Sequence, residues 1–312
     1  MLMSISASVP VFAGSQNRQA ILILAMHRSG SSALTRILGL CGAALPTDPL
    51  PATTSNPRGH WEPHSIVNLH AELLDSVGCR WDDVAVFPRS WFHSRQAESF
   101  KQRLVSALRV EFEEARLPVI KDPRICRLVP LWKSVLAEYG AHPRAVILVR
   151  NPLEVADSLE SRNRFGFGKA LKLWLRHFIE AERDTRSIKR CFVSYEEVLN
   201  DWRSVVDRIT NELDLKRYLK SDFREKEILA FLSSELRHHS YSAATLNARG
   251  DIPYAIKAAY KWAEGACNNP RSNFQVLDRI NAALAAKDVT LMPWHAGHRL
   301  LRRLRGRMAS RT

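Results

Sequence analysis

The sequence lacks the cysteine patterns that mark metal-binding and disulfide-rich proteins. Its 312 residues include five cysteines, which are Cys41, Cys79, Cys126, Cys191 and Cys267. They are far apart, and neither a CxxC pair nor a cysteine–histidine cluster at metal-ligand spacing is present. This excludes a zinc-ribbon type of site and a disulfide framework. Scattered thiols of this kind are typical of buried, reduced side chains, so we expect a reducing compartment such as the cytoplasm.

Long apolar runs and internal repeats are also missing. No stretch approaches the roughly 18 apolar residues that a membrane helix needs. The first residues are mildly apolar, but they lack a basic segment and are interrupted by Pro10, so we do not expect a signal peptide. We therefore predict a frayed lead-in over residues 1–18, one domain over 19–297 and a basic tail over 298–312.

Acidic residues are few relative to basic ones. Lysine and arginine number 46 against 32 aspartates and glutamates, which gives a formal net charge of +14. This excess favours anionic partners, such as a nucleotide, an acidic glycan or a lipid headgroup surface. The tail alone holds six arginines. Two interpretations of it stay open, a solvated and partly disordered end or a peripheral contact with a membrane surface or acidic substrate.

Apolar runs that alternate with helical patterns predict the fold class. The predicted strands are Ala20–Ala25, Leu117–Ile120, Ala145–Val149 and Cys191–Ser194. Helical spacing of apolar residues fills the intervals, as over residues 30–40, 64–77 and 95–115. This order predicts an α/β protein with a P-loop-like, doubly wound parallel sheet flanked by helices. Ligands of such sheets bind beyond the carboxyl ends of the strands. Polar clusters follow three of the predicted strands, at Met26–Ser32, Lys121–Arg124 and Arg150–Asn151.

The first cluster, MHRSGSS, is similar to a Walker A loop, GxxxxGK[ST], without its lysine. Gly30 and Ser32 match the second glycine and the Ser/Thr, whereas Ala25 and Ser31 replace the first glycine and the lysine. A strand–loop–helix turn of this type offers backbone N–H groups to an anion, and Arg28 is placed to contact a phosphate. The alternative is an ordinary tight turn with serine caps.

A second cluster, VRNPLEVADSLESR, suggests a separate anion site. Arg150 ends a predicted strand, and Pro152 suits the first turn of the helix that follows. Ser158 and Arg162 are four residues apart and share one face of that helix. Together the two arginines and the serine suit a second phosphate. The alternative is a surface helix with ordinary polar residues.

The three strand-end motifs together resemble those of PAPS-dependent sulfotransferases. MHRSGSS, KDP and VRNPxxxxxSxxxR are similar to the bacterial and the protein-tyrosine sulfotransferase-like branches, and the resemblance covers about residues 20–215. It extends to FGFGKALKLWLRHF and VSYEEVL. PAPS carries a 5′-phosphosulfate and a 3′-phosphate, so such an enzyme needs two anion sites. Two sites are what the polar clusters indicate.

The resemblance also implies roles for individual residues. PAPS would be the co-substrate and PAP the product, and we expect no metal. The 5′ group would be held by Arg28, Ser29, Gly30, Ser31 and Ser32. The 3′-phosphate would be held by Arg150 and Ser158, with Arg162 assisting and Tyr195 near the nucleotide. Arg28 would act through its charge, because an arginine pKa above about 12 makes it a poor proton donor.

Sulfuryl transfer needs a base on the acceptor side and cations on the leaving side. The resemblance places Lys121 beside the bridging oxygen, and the alternative is an ion pair with Asp122. Arg124 would support the same anion or pair with Asp122. Glu62, in NPRGHWE, is the favoured base by the resemblance, unless it caps the following helix. His60 is the rival, because its unperturbed pKa near 6.5 suits a base.

The sequence thus predicts a sulfotransferase that acts on a hydroxyl or an amine. The acceptor is expected to be a carbohydrate or glycolipid, with a peptide as an alternative, because the predicted loops carry aromatic and cationic residues. These are Trp61, Trp81, Trp91, Arg58, Arg80 and Arg89. Two other functions stay open, a P-loop kinase-like enzyme and a non-catalytic binder of acidic glycans. We expect no nucleic-acid partner, since no aromatic–basic repeat of the RNA-binding type is present.

Overall fold

A parallel four-stranded sheet forms the centre of the molecule. The structure is a computed structural model that describes residues 18–113, 115–219, 224–232, 241–269 and 273–286. Almost all of the predicted lead-in and the whole basic tail lie outside these ranges. The strands are β1 (Arg18–Leu24), β2 (Val119–Lys121), β3 (Ala141–Val149) and β4 (Lys189–Ser194). They pair in the order β2-β1-β3-β4, and every pair is parallel.

The central strands are covered on both faces, which explains their unbroken apolar sequence. Ala20, Leu22 and Leu24 of β1 join one apolar core. Ile21 and Ile23 point the other way and join a second core. This alternation confirms the predicted α/β architecture, a parallel sheet with helices on both sides.

Helices divide between the two faces of the sheet according to their apolar residues. The first core takes α2 (His64–Ser76), α3 (Arg95–Phe112), α4 (Ile125–Tyr139), α5 (Pro152–Asn163), α6 (Phe167–Asp184), α10 (Ala243–Ala248), α11 (Tyr254–Asn268) and α12 (Gln275–Ala285). The second core takes α1 (Ser31–Leu40), α7 (Tyr195–Asn200), α8 (Trp202–Glu212) and α9 (Glu225–Phe231). A short 3₁₀ turn, Arg89–His93, precedes α3.

Local capping residues fix where several of these helices begin. Asn151 accepts a hydrogen bond from the Leu153 N–H at 3.0 Å, and Pro152 fills the first helical position of α5, as predicted. Ser194 and Glu197 form a reciprocal capping box at α7. The strands that end at Val149 and Ser194 therefore turn directly into helices, which keeps both strand ends facing the same edge of the sheet.

The strand order creates a crevice at that edge. The chain moves from β1 to β2 on one side and then crosses to β3 on the other side of β1. The carboxyl ends of β1 and β3 are therefore neighbours at a topological switch point, where ligands of parallel sheets bind. The loop after β1 contains Arg28, and Arg150 follows β3 directly.

Burial controls the ionisation of the thiols. All five cysteines are free, and burial raises the pKa of Cys41 and of Cys267 to about 12.

Within the described ranges, no helix combines the length and apolar character needed to cross a bilayer. The division into lead-in, single domain and tail stays a prediction.

One buried histidine of α6 couples folding to pH. The His177 side chain is fully buried, and its Nδ1 donates to the Leu173 carbonyl at 2.9 Å. Its Nε2 is buried without a partner in the described part of the chain. Burial, helped by the charge of Arg127, lowers the pKa of His177 to about 3. The folded protein therefore keeps this ring neutral well below pH 6.

Replacing His177 should flatten the dependence of stability on pH. In the unfolded chain His177 titrates near 6.5, so between about pH 6 and 4 only the unfolded state binds this proton. The free energy of unfolding should then fall as pH drops, by about 1.4 kcal/mol per pH unit for this one group. Urea unfolding of His177→Phe and the parent between pH 7 and 4.5 checks this. An identical slope for both proteins would contradict it.

Candidate active site

A cavity of about 240 Å³ lies at the carboxyl ends of the strands. It brings together nearly all of the predicted site residues. Those that line it are Arg28, Gly30, Ser31, Ser32, His60, Glu62, Lys121, Arg150, Ser158, Arg162 and Tyr195. Ser29, in the same loop, is almost fully buried and does not line the cavity. The three strand-end clusters therefore converge on one cavity, as their positions in the sequence predict.

The loop after β1 presents free backbone donors to this cavity. Arg28 and Gly30 have φ values of 70° and 87°, in the left-handed region, which turns the chain sharply into α1. In the described ranges, no backbone carbonyl accepts from the N–H groups of Gly30, Ser31 or Ser32. These donors lie at the N-terminus of α1, where the helix dipole favours negative charge. The loop therefore has the features of an anion cradle.

The ring of Tyr195 packs directly against this loop. A Cβ atom on Gly30 would lie 2.1 Å from Tyr195 Cε2, so only glycine fits while the ring stays in place. The Arg150 guanidinium carbon lies 4.4 Å from the centroid of the same ring, a cation–π contact. Tyr195 therefore contacts both predicted anion sites, one through Gly30 and the other through Arg150.

Arg28 joins the two predicted anion sites. Its Nε donates to Ser158 Oγ at 2.8 Å, and its Nη1 donates to the Ser55 carbonyl at 2.8 Å. Arg150 donates from Nη1 to the Arg28 carbonyl and from Nε to Glu154 Oε2, each at 2.8 Å. Burial lowers the pKa of Arg28, and the nearby positive charges lower it further. Arg28 thus bonds Ser158 of the predicted 3′-phosphate site, although the sequence analysis places Arg28 at the other site.

The ammonium group of Lys121 lies between the loop and the predicted base. Lys121 Nζ donates to Glu62 Oε1 at 2.5 Å, to the His60 carbonyl at 2.9 Å and to Ser32 Oγ at 3.2 Å. Lys121 and Glu62 are both nearly fully buried. The alternative ion pair of Lys121 with Asp122 is wrong, because the ammonium group bonds Glu62 instead. Helix capping by Glu62 is also wrong, since this carboxylate faces Lys121.

Asp122 belongs to a buried network under the cavity. It accepts hydrogen bonds from His70 Nδ1 at 2.7 Å and from Arg124 Nη1 at 3.0 Å. Trp132 Nε1 donates to His70 Nε2 at 2.9 Å, so Nε2 accepts and the proton that faces Asp122 is on Nδ1. Burial alone would raise the pKa of Asp122, but Arg124 and His70 outweigh it, and the pKa falls well below its ordinary value. Arg124 therefore pairs with Asp122, one of its two predicted roles.

The two candidate bases differ in their electrostatic surroundings. Burial raises the pKa of Glu62, although the Lys121 ammonium group opposes the rise. Burial also lowers the pKa of His60 to about 4, with Lys121 and Arg162 contributing. The His60 ring is further engaged, with Nε2 3.1 Å from Thr53 Oγ1. Near neutral pH the imidazole is therefore uncharged and weakly basic, whereas the carboxyl group is a stronger base than an exposed glutamate.

The aromatic residues of the predicted acceptor loops have different surroundings. Trp81 contacts His27, with ring centroids 4.4 Å apart, and the Arg162 guanidinium carbon lies 5.9 Å from a Trp81 ring centroid. Trp61 lies under the guanidinium group of Arg36 at 4.7 Å. Trp91, by contrast, is a core residue with 7 % exposure, so the structure does not support it as a binding surface.

Two residues, one that pairs with a cavity side chain and one that lines the cavity itself, are absent from the sequence analysis. Glu154, which pairs with Arg150, stands four residues after it in the predicted helix, and that spacing was the available signal. Phe231 lines the cavity, and its carbonyl accepts from Arg58 Nη1. No local pattern connects Arg58 with Phe231, because they are far apart in the chain. In the ranges described, no cluster of three or more His, Cys, Asp or Glu side chains is arranged to hold a metal ion.

Comparisons with known proteins agree with the strand-end motifs. A family model described as "Sulfotransferase family" matches residues 20–218. The solved sulfotransferase domain of the Synechococcus PCC 7002 olefin synthase is 16 % identical, with 87 % of this chain and 94 % of that chain covered and a TM-score of 0.41. The sulfotransferase domain from the curacin biosynthetic pathway is 15 % identical, with coverages of 86 % and 98 % and a TM-score of 0.41. No curated protein sequence matches.

Substituting Gly30 tests how the Tyr195 ring shapes the loop. Gly30→Ala should cost about 1–2 kcal/mol of stability from the left-handed backbone, and a further 1–3 kcal/mol, roughly, from overlap with the ring. In a Tyr195→Ala background the overlap disappears, so the same substitution should cost clearly less. Chemical denaturation of the four proteins in this double-mutant cycle gives the comparison. Equal costs in both backgrounds would show that the ring does not constrain Gly30.

Proposed function

The chain belongs to the sulfotransferase family, and from this premise we propose that it transfers the sulfuryl group of PAPS to a hydroxyl or amine of an acceptor and releases PAP. One observation carries the proposal. Two sets of anion-binding groups, from the ends of β1 and β3, open into one cavity beside a buried carboxylate and lysine. A donor with two separate anionic groups matches that arrangement.

The residues of the cavity suit the two ends of PAPS. The free N–H groups of Gly30, Ser31 and Ser32 would hold the 5′ group. Arg28, which bonds Ser158, and Arg150, which bonds the Arg28 carbonyl, would hold the 3′-phosphate. The family resemblance adds Ser29 to the loop, Tyr195 near the nucleotide and Arg162 as an assisting cation. Phe231 and Arg58, at the cavity wall, offer flat surfaces on which the adenine ring of the nucleotide can stack.

The arrangement of Lys121 and Glu62 suggests how the transfer proceeds. The hydroxyl oxygen or amine nitrogen of the acceptor attacks sulfur, and Glu62 takes the proton that this atom loses. The bond between sulfur and the bridging oxygen breaks, and its electron pair stays on the phosphate of PAP. Lys121 stabilises that charge. Before the donor binds, Lys121 is hydrogen-bonded to Glu62 at 2.5 Å, so the ammonium group opposes the rise that burial causes in the pKa of the base.

His60 suits a supporting role better than that of the base. Its ring has a lowered pKa, about 4, and is hydrogen-bonded to Thr53. Its carbonyl oxygen, however, accepts from Lys121 and from Ser32. We therefore assign proton abstraction to Glu62 and assign to His60 the orientation of Lys121 through its backbone.

The acceptor side favours a polar ring compound, and we propose a carbohydrate or glycolipid. Trp81 and His27 offer an aromatic wall there, and Arg162 adds a cation.

A cytoplasmic location fits the five free thiols. Contact of the basic tail with a membrane surface stays a prediction. A kinase-like activity is less well supported, because serine stands at residue 31, where a Walker A loop has lysine.

Glu62→Gln should separate donor binding from turnover. The amide keeps the shape of the side chain but cannot take a proton, so PAP affinity should stay within a few-fold while turnover falls about 100-fold or more. PAP release from PAPS, measured with a panel of sugars and glycolipids, gives the rate, and calorimetry gives the affinity. The matched control is His60→Gln, which keeps the backbone carbonyl and should lose less than about tenfold. Near-normal turnover of Glu62→Gln would remove Glu62 from the mechanism.

A further inference from the structure

Trp61, the residue before the proposed base, has a backbone conformation that is rare for a bulky side chain. Its φ value is 56°, in the left-handed region, where a large residue other than glycine is strained. Its indole Nε1 is also buried without a hydrogen-bond partner in the described part of the chain. Strained residues of this kind are concentrated at functional sites. Among the described residues, however, Trp61 does not line the cavity, so it acts on the site through its neighbours.

The turn at Trp61 directs both flanking residues toward one ammonium group. The His60 carbonyl accepts from Lys121 Nζ at 2.9 Å, and Glu62 Oε1 accepts from the same nitrogen at 2.5 Å. In an extended segment, main-chain carbonyls and side chains point in perpendicular directions. The left-handed residue between His60 and Glu62 turns the chain so that a carbonyl and a carboxylate meet at Lys121.

Helix α1 holds this turn at two points, one helical turn apart. Ser32 Oγ donates to the His60 carbonyl at 3.2 Å. Arg36, four residues later on the same face of α1, places its guanidinium carbon 4.7 Å from the centroid of the Trp61 ring. A Cβ atom on Gly59 would lie 3.6 Å from the same ring, an ordinary contact distance. The indole ring therefore packs against both α1 and its own loop.

We propose that Trp61 is a positioning residue whose ring, held by Arg36, maintains the turn that directs Glu62 and the His60 carbonyl at Lys121. The role of Glu62 as base rests on the proposed function, whereas its contact with Lys121 does not. This assignment differs from the sequence prediction, in which Trp61 belongs to an aromatic surface for the acceptor. Arg36 is likewise outside the cavity lining in the described ranges, so it acts on the base only through the ring.

The first measurement is the pKa of the Glu62 carboxyl group in the protein without nucleotide. Carbon NMR of protein labelled at the glutamate carboxyl carbons gives this pKa, and the Glu62 signal is the one that Glu62→Gln lacks. The Lys121 ammonium group opposes the rise that burial causes in the Glu62 pKa, so a turn that relaxes away from Lys121 should raise it further. Arg36→Gln and Trp61→Gly should both show this rise. The other charged groups that act on Glu62 are unchanged in both variants, namely Asp122, Arg124 and Arg162.

The second measurement separates turnover from nucleotide binding. In Trp61→Gly, the single-turnover rate at which enzyme saturated with PAPS forms PAP, with water as the acceptor, should fall about tenfold or more, because a small misplacement of a reacting group is costly. Glycine adopts the left-handed backbone without strain, so the loss reports the ring alone. Calorimetry should give a PAP affinity within a few-fold of the parent. Trp61→Phe, which keeps a ring for Arg36, should recover part of the rate.

Glu227→Gln is the matched control for Arg36→Gln. Arg36 Nη2 lies 4.0 Å from Glu227 Oε2, and the Glu227 side chain is largely exposed. The substitution removes this ion pair but leaves the guanidinium group on the Trp61 ring. It should therefore change neither the Glu62 pKa nor the rate of PAP formation.

The proposal is overturned if Arg36→Gln and Trp61→Gly both keep the parent pKa of Glu62. It is also overturned if PAP affinity falls in step with the rate, since the ring would then support the nucleotide site and not the base. A parent protein that does not bind PAP would count against the proposed function instead, and the pKa comparison would still decide the role of Trp61. Thermal unfolding confirms that each variant is folded, and Arg36→Gln carries the test if Trp61→Gly is not.

Discussion

The Lys121 ammonium group connects three segments on which the cavity depends. It extends from the end of β2 and bonds Glu62 and the His60 carbonyl, which belong to the loop between α1 and α2, and Ser32 in the first turn of α1. Its hydrogens are all engaged, so the charge is compensated although the side chain is almost fully buried. Removing either charge of the Lys121–Glu62 pair would leave the other buried and unpaired. The ammonium group of Lys121 therefore fixes the position of the loop that contains His60 and Glu62.

The buried arginines in the described ranges are paired with carboxylates, whereas two half-buried arginines that line the cavity are not. Arg127 pairs with Glu180 at 3.1 Å, and Arg150 pairs with Glu154 at 2.8 Å. Arg28 and Arg162 line the cavity without an acidic partner in the described ranges. Desolvating a cation costs free energy that an anionic ligand offsets when it binds. A ligand with several negative charges therefore offsets the most desolvation free energy when it binds in the cavity, and PAPS is such a ligand.

The sequence was sufficient for the sheet and for most of the site. Apolar runs located each strand, because both faces of the sheet are buried, and the polar residue that follows each run marked the ligand edge. The start of β3 was missed, since residues 141–144 pair with β1 although most of them are partly exposed. The contact of Arg28 with Ser158 and the lining by Phe231 were also missed. They depend on tertiary approach of distant segments, which no local pattern records.

We propose that the cavity binds a nucleotide with anionic groups at both its 5′ and 3′ positions. The most direct measurement is the thermal stability of the parent protein with PAP, with AMP, and with ATP plus Mg²⁺. A ligand that binds only the folded state at 100 times its Kd adds about 2.7 kcal/mol, a readily measured shift. The account predicts that PAP stabilises the protein well beyond AMP and ATP. Equal or greater stabilisation by ATP would contradict it and identify the MHRSGSS loop as a general phosphate cradle.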